Sequence, residues 1–487
     1  MNPELKKIIS GLKWSGIQLF VDTGFRFLVQ LILAKILLPE QFGLVAMCSI
    51  FIAVANAASE LGMGAALIQK KEDSEAQSMY PTAFISGIIW GVFLFLLMSF
   101  LIGPLAAWFY EEPFLTYLIP ALSISVIVTP LSFIHHVILV RKMDFKSLAK
   151  ILNSSAVLAG VVAVVSAIKG AGVWSLVIHQ VLSPLLALLF YYYMVGWAPK
   201  LSWNRQHFKA IFGFGAYATG TRVFSTVTYN IDNLLIGKLL GPSSLGAYSL
   251  AFNLTETLRQ SLSKVINNVM FPVFGKNQDN IEKLKNYFLN IIKINAILIY
   301  PVMGFLLLFS HEIIFLIFGD KWEDAVVPIQ ILSVAMMIHL MINSFASLLR
   351  GIGKPGLEMK IIMVLTVLVL IPGLVIGIKI AGLKGAAYAI LINKSILVLT
   401  ALVVLKRKIN LKASQVFRSV LKPVMALLAA MALVYVIKIK VDTSEGITPL
   451  LLPMIMYVAC YVGLIFYLEK KTMQRFLTLI KNKNVKT

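Results

Sequence analysis

Leu33-Ala-Lys-Ile-Leu-Leu-Pro-Glu-Gln-Phe-Gly43 and Ile236-Gly-Lys-Leu-Leu-Gly-Pro-Ser-Ser-Leu-Gly246 are two copies of one phrase. Lys35 matches Lys238, Leu37 matches Leu240, Pro39 matches Pro242 and Gly43 matches Gly246, without a gap. Each copy sits between two long apolar segments. An apolar chain that repeats itself halfway reads most simply as a transporter built from two related helical halves, with its site where the halves meet.

The chain has 487 residues, of which 59% are hydrophobic and 14% charged, and its mean hydropathy is +0.85. Soluble domains carry about 25% charged residues, so the composition is that of a polytopic membrane protein. Apolar runs of about twenty residues recur, each long enough to cross roughly 30 Å of hydrocarbon as a helix. The fold class expected is all-α, with fourteen spans at approximately 14–36, 43–67, 82–105, 114–138, 147–168, 172–195, 208–237, 246–272, 288–310, 325–348, 357–379, 383–405, 420–438 and 447–468. Met1 to Lys7 is polar and basic, and no Ala-x-Ala site follows a short apolar core, so no cleavable signal is expected. Cys48 and Cys460 both lie in apolar runs and read as small core residues, not as a disulfide.

A net charge of +22 would point to nucleic acid in a soluble protein. Here the positive-inside rule accounts for it, and no nucleic-acid partner is expected. With fourteen spans, thirty of the 44 basic residues fall in loops, termini or span ends on one side, from Lys6, Lys7 and Lys13 through Arg141 and Lys406 to Lys486. Only eight fall on the other: Lys35, Lys169, Lys238, Lys321, Lys379, Lys384, Lys438 and Lys440. Both termini are therefore expected in the cytoplasm.

The repeat extends beyond its signature. Ala121-Leu-Ser123 opens span four, which leaves through Val140-Arg141. Ile331-Leu-Ser333 opens span ten, which leaves through Leu349-Arg350. Glycine turns at Gly170-Ala-Gly172 and Gly382-Leu-Lys-Gly385 join the last two helices of each half. The expected domains are an N-terminal lobe, 1–205, a second lobe, 206–410, and an accessory pair of spans with a basic tail, 411–487. Each repeat holds an even number of spans, so the halves share one orientation.

On Leu33–Ala46, on Asp232–Ala251, on Glu60-Leu-Gly-Met-Gly-Ala-Ala-Leu-Ile-Gln69 and on Arg141-Lys-Met-Asp-Phe145, the chain resembles the Wzx-type polysaccharide flippases. These belong to the multidrug/oligosaccharidyl-lipid/polysaccharide exporter superfamily, and the colanic-acid and teichuronic-acid exporters are the nearest branch. The resemblance covers essentially the whole chain. It implies two six-helix lobes in a V around a central cavity, working by alternating access on an undecaprenyl-diphosphate-linked saccharide in the bacterial inner membrane. The partners implied are that lipid-linked oligosaccharide, membrane lipids, and a polymerase with other polysaccharide-assembly proteins. No short catalytic motif comes with the family, so no catalytic residue is carried over.

Charges inside the predicted spans are the site candidates, because one at the bilayer centre costs at least roughly 2.5–3.5 kcal/mol. The bases are Arg26, Arg222, Arg259, Lys264, Lys293 and Lys394. The acids, as coupling or charge partners, are Asp22, Glu60, Asp232 and Glu256. In span eight, Asn253, Glu256, Arg259, Gln260, Ser263, Lys264 and Asn267 share an arc of about 140° at 100° per residue, opposite a leucine and valine face. The bland alternative is that Glu256 and Arg259 pair at i, i+3. Asp22 and Arg26 are spaced to pair at i, i+4. Arg222 has no acid at those spacings. Lys264 and Lys293 are placed to snorkel inward. Lys394 sits beside Asn393. His135, His136, His179 and His339 lack metal-ligand spacing, and neither metal nor other cofactor is expected.

Gly351-Ile-Gly-Lys-Pro-Gly356 has the wrong spacing for a nucleotide phosphate loop, and the loops are too short for a glycosyltransferase domain. The protein is thus expected not to be an enzyme. Arginine suits a diphosphate through paired contacts. A cation-coupled multidrug exporter would want an acid-dominated pocket; a lipid II flippase is a nearer alternative. A scramblase or a structural partner of a synthase would not need a buried charged stripe.

Overall fold

The computed structural model describes residues 3–59, 61–440, 447–470 and 474. Its helices, in chain order, are α1 (Pro3–Ile36), α2 (Pro39–Ser59), α3 (Met63–Gln69), α4 (Asp73–Leu97), α5 (Gly103–Tyr110), α6 (Leu115–Arg141), α7 (Phe145–Ile168), α8 (Val173–Val195) and α9 (Arg205–Tyr229). They continue as α10 (Ile231–Phe252), α11 (Leu258–Lys276), α12 (Ile281–Ile313), α13 (Val326–His339), α14 (Phe345–Gly351), α15 (Pro355–Leu365), α16 (Ile371–Ile409), α17 (Ala413–Lys440) and α18 (Ile447–Leu468). No strand occurs among the described residues. In lipid this is the expected outcome, since a helix satisfies every backbone group within its own segment.

Ten stretches among the described residues are long and apolar enough to cross a membrane. One of them, 355–409, is interrupted: Ala381 and Gly382 leave helical geometry, with Gly382 at φ 55°. This is the glycine turn read from the sequence between spans eleven and twelve. Gly170 and Gly172 take φ 85° and 56° at the matching turn of the first half. Helix starts are capped where short polar side chains precede them. The Asp144 carboxylate accepts from the Ser147 backbone at 3.1 Å, and Asn204 Oδ1 accepts from Gln206 and His207, each satisfying first-turn amides.

The chain forms two compact units, Met1–Ser249 and Leu250–Thr487. In the first, α3, α4, α6 and the start of α9 close on Met63, Leu67, Ala76, Ala83, Ile134 and Ile211. The connecting segment after α8 is docked on this core. His135 Nε2 lies 3.2 Å from the Trp197 carbonyl, Trp203 Nε1 donates to Ser86 Oγ at 3.0 Å, and the Asn204 amide donates to Thr82 Oγ1 at 3.1 Å. In the second unit, α12 packs on α13 and α17, and α13 packs on α16.

Candidate functional site

The two copies of the repeated phrase meet. Helix α10 breaks at Gly241, whose φ of 79° excludes most side chains, and restarts at Pro242. A Cβ on Gly43 would fall 1.7 Å from the Pro242 carbonyl oxygen, and one on Gly246 would fall 1.8 Å from that of Pro39. The start of α2 and the restarted α10 therefore lie backbone against backbone, with glycine of each copy on proline of the other.

Lys238 flanks this contact. Its Nζ lies 2.7 Å from Glu111 Oε1 and 5.5 Å from the centre of the Phe109 ring. That hydrogen bond and charge hold the Glu111 carboxyl below its usual range. Its neighbour Glu112 is pushed upward, first by burial and then by the Glu40 charge.

Asp22 and Arg26 pair at 2.7 Å on α1, and half of the Arg26 side chain stays exposed, 51%. Arg222 is exposed on α9. Asp232 is buried. Its carboxylate accepts from Tyr248 Oη at 2.5 Å and from the Asn233 amide at 2.9 Å. Tyr248 lies beyond the break at Gly241, so this bond braces the two arms of α10. Glu60 lies outside the described residues.

In the second unit the seven-residue polar arc is interrupted. Asn253–Thr257 forms a π-helical turn, which adds a residue to the turn and rotates the later part of the helix relative to a 100° wheel. Next to this turn lies a buried ion pair between i, i+3 neighbours. Arg259 donates from Nε to Glu256 Oε2 at 2.7 Å and from Nη2 to Oε1 at 2.6 Å, with side chains 7% and 3% exposed. Arg259 Nη1 also donates to Asn343 Oδ1, Gln260 Nε2 to Glu256 Oε1 at 2.8 Å, and Asn267 Nδ2 to the Asn343 carbonyl at 3.3 Å. Lys394 on α16 and His339 on α13 lie close enough to act on the Glu256 charge. The Lys264 side chain lies outside the described residues.

Lys293 sits elsewhere, 3.4 Å from Glu469, which Lys422 also approaches at 3.6 Å. These ties join α12, α17 and the end of α18. Between α12 and α18 lies an open apolar groove of about 500 Å³ lined by Leu298, Val302, Phe305, Val458, Val462 and Phe466.

Sequence reasoning missed Asn343, Glu469 and Tyr248, which partner the predicted charges from 84, 176 and 16 residues away. Nothing local marks such pairs. Arg141 had a signal, its place in Arg141-Lys-Met-Asp-Phe145. Its guanidinium bonds the carbonyls of Leu67 and Lys70 at 2.7 and 2.8 Å and pairs with Asp73. It clamps the turn between α3 and α4.

The model of a family described as polysaccharide biosynthesis protein matches residues 32–328. The chain is 30% identical over 395 residues to the lipopolysaccharide biosynthesis protein WzxC of Escherichia coli (strain K12), covering 80% of this chain and 78% of that one. It is 27% identical over 354 residues to the teichuronic acid biosynthesis protein TuaB of Bacillus subtilis (strain 168), covering 72% and 73%. Among solved structures, the lipid II flippase MurJ in an inward closed conformation superposes with a TM-score of 0.76 at 13% identity, over 94% of this chain and 99% of that one. An inward-facing multidrug resistance transporter of the MATE family gives 0.66 at 16% identity, over 80% and 94%. At these identities the structural likeness speaks to the fold alone.

Proposed function

The chain belongs to the polysaccharide biosynthesis protein family, and from that premise we propose that it is a flippase. It moves an undecaprenyl-diphosphate-linked oligosaccharide repeat unit across the bacterial cytoplasmic membrane for surface polysaccharide assembly. It is a transporter and not an enzyme. The observation that carries this reading is the exposure of two arginines, Arg26 on α1 and Arg222 on α9. These helices hold matching positions in the two repeats. An exposed guanidinium in a membrane-spanning helix costs too much against lipid, so its face is wet. Planar forks there suit the oxygens of a diphosphate. Lys394, partly exposed on α16, is a further base, in the second unit. Arg259 and Lys293 act through Glu256 and Glu469, fixing helices more than touching lipid. The apolar groove between α12 and α18 suits a lipid chain.

Residues 1–205 and 206–410 form two six-helix lobes, 411–487 is accessory, and fourteen spans leave both termini in the cytoplasm. The contact of Gly43 with Pro242 and of Gly246 with Pro39 closes the outer end, and alternating access requires those hairpins to part. Exporting an anion from a negative interior runs downhill, by about 2.3 kcal/mol per charge at 100 mV. A polymerase is the expected receiver of the exported unit.

Deletion of the gene tests the reading. The expected result is loss of a surface polysaccharide with its lipid-linked repeat unit accumulating on the cytoplasmic leaflet. Normal polysaccharide together with new sensitivity to cationic drugs would overturn it in favour of a drug exporter.

A further inference from the structure

Helix α18 packs mainly on α17, and α17 on α12; between α12 and α18 the groove stays open. Its walls are dry. Pro301 leaves the Ile297 carbonyl without a helical donor, but Tyr461 Oη donates to that oxygen at 3.1 Å and Tyr457 Oη to the Pro301 oxygen at 2.8 Å. A guest therefore meets apolar side chains, such as Leu298, Phe305, Val462 and Phe466. Past Val458 the groove continues to Met454 and Ile455. From Met454 to Phe466 is about 18 Å of helix. That is close to the hydrocarbon depth of one leaflet, roughly half of 30 Å.

One end of the groove is charged. Ile297 and Ile465 line it, and one turn beyond them lie Lys293 on α12 and Glu469 after α18. Lys293 Nζ is 3.4 Å from the Glu469 carboxylate, and Lys422 Nζ, from α17, is 3.6 Å from it. Lys422 also donates to the Leu468 carbonyl at 2.9 Å, and Lys470, next in the chain, is exposed. Charge-assisted bonds run to about 2.7–2.9 Å, so one carboxylate holds both ammoniums loosely. Each ammonium has three protons to give, and here the bases outnumber the acid. Such a mouth accepts an anion at the end of a slot for hydrocarbon.

We propose that this is the seat of an anionic glycerophospholipid, its phosphate at Lys293 and Lys422 and one acyl chain in the groove. It is a resident lipid that ties α18 to α12. A volume of about 500 Å³ is that of one fatty acyl chain, whereas a long polyprenyl would leave most of its length outside. The depth argues the same way, because a phospholipid chain ends where its leaflet ends. The site lies wholly within the second unit and does not depend on what the protein transports.

The test uses full-length protein in detergent, stripped of lipid and incubated with phosphatidylglycerol, phosphatidylethanolamine or undecaprenyl phosphate. Retained lipid is read by native mass spectrometry. Two lysines near the headgroup should give about a thirtyfold preference for the anionic phospholipid over the zwitterionic one. Lys293→Gln with Lys422→Gln should erase that preference, combined with Glu469→Gln so that no buried carboxylate is stranded. Val462→Trp fills the groove and keeps the charges, and should abolish retention of both phospholipids. Val462 is exposed along the groove, so the larger ring does not press on the core. Equal retention of the two phospholipids by wild type, or an unchanged preference in the triple variant, would overturn the site. Unchanged retention in Val462→Trp would overturn the groove as the seat of the chain. Tighter retention of undecaprenyl phosphate than of phosphatidylglycerol would overturn the phospholipid and give the groove to a polyprenyl chain.

Discussion

Gly43 and Gly246, 203 positions apart and equivalent in the repeat, each rest on the proline carbonyl of the other's copy, Pro242 and Pro39. A methyl at either place would lie under 2 Å from a backbone oxygen, a distance no side-chain rotation can relieve. Gly43→Ala and Gly246→Ala should therefore force the hairpins apart. A reporter cysteine replacing Lys238 is expected to react faster with an impermeant maleimide in both variants. Gly213→Ala, with open space around it, should leave the rate unchanged, and equal rates throughout would refute the clasp.

Topology gives a second prediction. With Cys48 and Cys460 replaced, a cysteine at Glu111 should label from outside intact cells, and one at Lys408 only after permeabilisation. Labelling of position 408 from outside would overturn the fourteen-span arrangement.

Much of this molecule was legible because membranes restrict the choices. Apolar length set the helices. Spacing at i, i+4 and i, i+3 offered the Asp22–Arg26 and Glu256–Arg259 pairs as the alternative to a charged wall, and both pairs form. The partners of Asp232, Lys293 and Arg141 were not legible, because each comes from another helix or from beyond a break. The π-helical turn at Asn253–Thr257 also escaped, since a helical wheel assumes an even 100° step. The contacts of Arg259 and Asn267 with Asn343 were likewise beyond a helical wheel.

The Glu256–Arg259 pair is expected to behave as a unit. Arg259→Ala strands a buried carboxylate and should cost about 3–5 kcal/mol, seen as a lower unfolding temperature in detergent and lost export. Arg259→Lys should recover only part, lacking the fork. Glu256→Gln combined with Arg259→Gln should recover most of the stability. A double variant no more stable than Arg259→Ala would argue against pairing as the cause. Arg222→Ala, by contrast, should abolish export at normal protein levels.

Arg141→Ala removes charge-assisted bonds to two carbonyls and Asp73, and should cost about 2–3 kcal/mol. Arg141→Lys should rescue little, because one ammonium cannot span those acceptors. Protease cleavage within residues 68–73 is the readout, and an uncut loop in both variants would deny the clamp.

Pro301 sits inside α12 and has no N–H, so the carbonyl of Ile297, four residues earlier, loses its helical donor. Tyr461 on α18 supplies one instead: its hydroxyl donates to the Ile297 oxygen at 3.1 Å, while Tyr457 donates to the Pro301 oxygen at 2.8 Å. Helix α18 is thus hydrogen-bonded to the site of the proline. Tyr461→Phe should destabilise the protein by about 1–2 kcal/mol, the cost of a buried acceptor left unmet. In a Pro301→Ala background the restored backbone N–H satisfies Ile297, and the same tyrosine change should cost much less. A double-mutant cycle in detergent unfolding measures the difference. Equal costs in both backgrounds would mean that Tyr461 stabilises α18 by packing alone.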